Sequence, residues 1–96
     1  MYHITLQDAP PEITPHAKLD AEQRYRRTLE RTLGGPDAVL ATHRAWQAAE
    51  DTVETEMSAE DIALAKQWIA AATRAQHDGL RDFGETEAWF EMRMEK

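Results

Sequence analysis

The densest chemistry in the chain is anionic: "EDTVETEMSAED", residues 50–61, carries six carboxylates and no base. They are Glu50, Asp51, Glu54, Glu56, Glu60 and Asp61, and the nearest cations along the chain are Arg44 and Lys66. Carboxylates crowded in this way repel one another and are relieved by a cationic partner, so the chemistry they point to is electrostatic recognition of a basic protein surface. A charged, solvated corner that keeps the protein soluble is the plainer reading of the same residues. Glu60 and Asp61 have a local explanation, because the unpaired N–H groups of a helix's first turn favour acids. Glu50, Asp51, Glu54 and Glu56 fall toward the C-terminal end of the preceding helix, where negative charge is disfavoured by roughly a few tenths of a kcal/mol each. A local conflict of that kind is where a functional reason is worth seeking.

The second charged constellation is basic. Arg24, Arg27 and Arg31 recur at helical spacing with Arg26 beside them. Such a stripe suits phosphate contacts, and it is the alternative reading of the chain as a small dimeric DNA-binding regulator. It is equally the solvent face of a helix whose other side carries Tyr25, Leu29 and Leu33, and no stacking aromatics accompany it. Intramolecular pairing of the stripe with acids of residues 50–61 is a further alternative.

Metal and nucleophilic chemistry find little support. His43, Gln47, Glu50 and Glu54 can share a helical face and His77 lies near Asp78 and Asp82, but the chain has no H-E-x-x-H, no E-x-x-H and no cysteine. His43 reads instead as a core-edge residue bonded to a neighbour. Ser58 is the only serine, and "SAED" gives it a capping role at a helix start. "GGP" is a break between helices with no strand before it, unlike a phosphate-binding turn. The expectation is a non-enzyme without metal or cofactor, an accessory subunit or enzyme being the remaining alternative.

The elements that must position these residues are mostly helical. Tyr2, Ile4 and Leu6 alternate with polar neighbours as a short strand over residues 2–7 would. Pro10, Pro11 and Pro15 make an extended connector, so residues 1–18 read as an N-terminal arm and residues 19–96 as a helical domain. Asp20 caps a first helix ending at Leu33, with Gly34 as its left-handed exit. Pro36 opens a second helix whose core side is Val39, His43, Trp46 and Val53, with Leu40 adjacent. A third begins at Ser58, with Ile62, Ala65, Ile69, Ala72, Gln76 and Gly79 inward, Trp68, Leu80 and Phe83 widening that face, and Ala63, Ala70 and Ala71 as a second close-packing face. Gly79 either ends this helix or only weakens it, and Gly84 interrupts it.

The tail "ETEAWFEMRMEK" carries both periods. Phe90, Met92 and Met94 alternate as in a strand, for which Tyr2, Ile4 and Leu6 are the evident mate. Glu, Met, Arg and Ala are strong helix formers, with acids early and bases late, and on that ground a fourth helix is favoured. Trp89 and Phe90, with the two methionines, either cover the core or join the acids in a partner or homodimer contact.

Composition bounds the answer. The 96 residues suit one small core, and 42% apolar with 30% charged is ordinary for a folded protein. The net charge of −7 arises wholly after residue 33: residues 1–33 hold five acids and five bases, residues 34–96 thirteen and six. That balance argues against free duplex DNA as a ligand of the second part. No stretch approaches the ~20 apolar residues of a membrane helix, and nothing requires an oxidising compartment, so a cytoplasmic setting is expected. The sixteen alanines, eight arginines against three lysines, and absence of asparagine suit a GC-rich bacterial or phage genome.

The expected fold is therefore mainly α, a small compact bundle of three to four helices with a short N-terminal strand. The expected function is a non-catalytic interaction module. In its concrete form it is an acidic inhibitor or regulator of a nucleic-acid-handling complex, of phage or mobile-element type.

Overall fold

A computed structural model describes residues 2–51 and 56–94. In chain order the elements are β1 (Tyr2–Gln7), α1 (Pro15–Leu33), α2 (Pro36–Asp51), α3 (Ala59–Gly79) and β2 (Trp89–Met94). The protein is mainly helical with one two-stranded sheet. It divides into two compact units, the first formed by Met1–Thr28 with Arg74–Lys96 and the second by Leu29–Thr73.

The first unit is built on the pairing of the chain's two ends. β1 and β2 run antiparallel in a register that sets Tyr2 opposite Met94, Ile4 opposite Met92 and Leu6 opposite Phe90. Because side chains alternate across a strand, these six share one face. Tyr2, Ile4, Leu6 and Phe90 are buried on it, together with Ala21 and Tyr25 of α1 and Ala75 of α3. The tail is thus a strand and the favoured fourth helix is not formed. Helix propensity separates these residue types by only about 0.7 kcal/mol each, and so short a helix would bear the full cost of nucleation. Pairing with β1 supplies a hydrogen-bonded ladder and buries Phe90, which outweighs that preference.

α1 begins at Pro15, five residues before the expected Asp20 cap. Thr14 is the cap: its Oγ1 accepts from Ala17 N at 3.1 Å and its carbonyl accepts from Lys18 N at 3.0 Å. Pro15 therefore occupies the first helical position, where a missing N–H costs nothing.

In the second unit Gly34 and Gly35 both have positive φ, 103° and 127°, and both donate to Glu30 O. This left-handed exit closes α1 as expected. α2 buries Val39, Thr42, His43 and Ala45, with Trp46 and Leu40 half-buried; Val53, expected on the same face, lies outside the described residues. The Thr42 hydroxyl donates to Ala38 O at 2.8 Å, which allows a polar side chain on that face.

α3 is rotated from its expected orientation. Ala65, Trp68, Ala71 and Ala75 are buried, while Ile69 is 51% exposed and Ala63 and Ala70 are exposed. Trp68 and Ile69 are about 100° apart on the helix, so the buried face is centred on one at the expense of the other. The larger indole removes more apolar surface from water, so it sets the rotation and Ile69 is left outside.

Candidate functional site

Glu50, Asp51, Glu56, Glu60 and Asp61 belong to the second unit. Glu50 and Asp51 close α2 as described, and Glu60 and Asp61 stand in the first turn of α3. Ser58 caps that turn, its Oγ accepting from Asp61 N at 3.0 Å and its carbonyl from Ile62 N at 3.1 Å. Glu50, Asp51, Glu56, Glu60 and Asp61 are all exposed, and Glu54 lies outside the described residues. Among the described residues none of the five forms an ion pair with a cation of the chain. Their charge is left for solvent and salt to screen or for a partner to meet.

Beneath α2, His43 is not a hydrogen-bonded edge residue. It is 4% exposed, and its ring meets Trp68 edge-on at 4.6 Å and Trp46 at 5.6 Å. Both ring nitrogens are buried without a hydrogen-bond partner among the described residues. Burial pushes the imidazole pKa below its ordinary value, because the charged form loses its hydration. His43 thus acts as a neutral aromatic filler. Gln47 and Glu50, its helical neighbours at four and seven residues, are exposed and do not converge on it. Among the described residues no three His, Asp or Glu side chains are grouped to hold a metal ion.

The arginine stripe does not act as a set. In the first unit Arg24 is drawn inward: its guanidinium donates to Asp82 Oδ2 at 2.8 Å and to Gly79 O at 3.1 Å, and its side chain is only 15% exposed. Arg26 lies 4.8 Å from the Tyr2 ring and donates to Tyr2 O at 2.8 Å. Arg27 and Arg31 are exposed. Among the described residues the carboxylate partner of Arg24 is therefore Asp82, not an acid of residues 50–61.

Trp89 and Phe90 separate as adjacent strand residues must. Phe90 is 8% exposed and stacked on Tyr25, so its ring belongs to the core, the first of the two alternatives for this residue. Trp89 points the other way, 43% exposed, and donates its Nε1–H to Asp8 Oδ2 at 2.9 Å. Asp8 has a φ of 56°, a left-handed conformation that aspartate tolerates. With Pro10, Pro11, Glu85 and Glu87 it lines an open surface hollow. This grouping was invisible in the sequence, because only the pairing of β1 with β2 brings residues 8–11 beside residues 85–87.

The chain is defined so far as a small, mainly helical protein with a terminal two-stranded sheet; none of its described helices is long and apolar enough to cross a membrane. No protein family model, curated protein or solved structure matches it.

Proposed function

We propose that the protein is a non-catalytic binding module that uses Glu50, Asp51, Glu56, Glu60 and Asp61 to engage a basic surface of another protein. The target class is one whose cationic surface ordinarily holds nucleic acid, so that the module inhibits or regulates it by competing for phosphate-binding sites. The observation that supports this reading is the exposure of all five carboxylates, none of them ion-paired with a cation among the described residues. The DNA-binding alternative is weaker, since Arg24 is held by Asp82 and Gly79 O.

The test is binding to the host's nucleic-acid-binding proteins at low and high salt, with the wild type beside a Glu50→Lys, Asp51→Lys, Glu60→Lys variant. Salt-sensitive binding that the reversals abolish is the expected result. Binding unchanged by the reversals overturns the reading. Binding to DNA that is lost in an Arg27→Ala, Arg31→Ala variant transfers the function to the first helix.

A further inference from the structure

The two strands of the sheet treat their outer edges differently. On β1, the Tyr2 carbonyl accepts from Arg26 and the Leu6 N–H donates to Glu22 Oε2, each at 2.8 Å. Glu22 and Arg26 lie one turn apart on α1, so that helix closes the outer edge of β1. Since Tyr2 and Leu6 use their backbone groups outward, their pairings with Met94 and Phe90 are non-hydrogen-bonded ones. The same alternation on β2 turns the N–H and C=O groups of Phe90, Met92 and Met94 away from β1. Among the described residues no other group of the chain takes them up. An open edge of this kind is a template for another strand.

We infer that this edge pairs with β2 of a second copy, antiparallel and centred on Met92, to give a continuous four-stranded sheet across a two-fold axis. In that register Met92 faces Met92 of the second copy and Phe90 faces Met94, all with outward backbone groups, so each pair exchanges hydrogen bonds. The intervening pair sets Glu91 opposite Arg93 of the second copy, twice, in the non-hydrogen-bonded positions where side chains approach most closely. Glu91 and Arg93 already touch within one chain, and the symmetric arrangement joins the two pairs in one alternating network. Met94, 36% exposed, gains cover beside Phe90 of the second copy. A parallel arrangement in equal register would set Glu91 against Glu91 and forfeit this match. The inference does not rest on the acidic surface of residues 50–61.

Sedimentation velocity over a concentration series, with circular dichroism to check folding, tests it with two single variants. Arg93→Glu leaves two acids on the edge and Glu91→Arg leaves two bases. Each alone is expected to weaken self-association on the order of ten-fold or more, since like charges then face each other across the axis. Mixed in equal amounts they are expected to form a heterodimer, because every cross-strand pair is again of opposite sign. A wild type that is monomeric at every concentration overturns the inference. So does a dimer that neither substitution affects, or a mixture that stays monomeric.

Discussion

Phe90 lies stacked on Tyr25, with ring centroids 4.3 Å apart and planes inclined by 20°. One residue comes from the last strand and the other from the first helix, so this contact ties the tail to the core of the first unit. Tyr25 is 4% exposed and burial pushes its hydroxyl pKa up to about 12, which keeps the ring neutral. Phe90→Ala is therefore expected to cost about 3–5 kcal/mol, read as a shift of the urea midpoint. A cost below about 1 kcal/mol would show the strand to be dispensable.

Gly79 gives a finer test of the same packing. A Cβ built there would stand 2.8 and 2.9 Å from two Phe90 ring atoms and 3.3 Å from Ala21 O. Alanine gains at most about 1 kcal/mol of helix propensity over glycine, while overpacking costs about 1–3 kcal/mol. The stack on Tyr25 prevents the ring from yielding, so a net loss is expected for Gly79→Ala. Combining it with Phe90→Leu should recover part of that loss, and strict additivity in the double-mutant cycle would count against the contact.

How much of this was legible beforehand follows from how local each cause is. The strand over residues 2–7, the Gly34 exit, the Pro36 start and the Ser58 cap each depend on a few consecutive residues. The tail does not: its residues favour a helix in isolation, and the partner that makes it a strand lies at the far end of the chain. The rotation of α3 depended on Trp68 outcompeting Ile69 for burial, which spacing alone ranks equally. Arg24 looked like a solvent residue because nothing near it in sequence announces Asp82 or Gly79 O. The exposure of Glu50, Asp51, Glu56, Glu60 and Asp61 was the more readable part of the candidate site, since no base sits within that stretch.

The ion pair of Arg24 with Asp82 should divide unequally on mutation. Asp82 is 65% exposed, so Asp82→Ala removes a solvent-screened contact and is expected to cost less than about 1 kcal/mol. Arg24→Ala also removes the largely buried stem and the donor to Gly79 O, and is expected to cost about 2 kcal/mol. Equal losses in chemical denaturation would mean that the exposed ion pair alone accounts for the role of Arg24.

At the start of α3, Ser58→Ala leaves the Asp61 N–H without its acceptor and should lower stability by about 1 kcal/mol. Ser58→Asp keeps an acceptor oxygen and should retain most of it. Thermal melts of the two variants side by side decide whether the hydroxyl caps or merely accompanies the turn; indistinguishable melts would refute the cap.

His43 makes the protein's stability depend on pH in a definite direction. Burial holds the native imidazole below its ordinary value of 6.5, while the unfolded chain titrates near 6.5. Between the lowered native value and 6.5 the unfolded state binds the extra proton, so stability rises with pH across that window. The contribution is complete above 6.5, declines as pH falls through it, and levels off below the native value. His43→Phe keeps an aromatic ring between Trp46 and Trp68 but has no nitrogens to leave unbonded. It is expected to raise stability at neutral pH by on the order of 1 kcal/mol and to flatten the decline as pH falls from neutral through 6.5. Urea denaturation of both proteins across that range is the measurement. Parallel pH profiles would show that the decline comes from other groups and that His43 is not held neutral by burial.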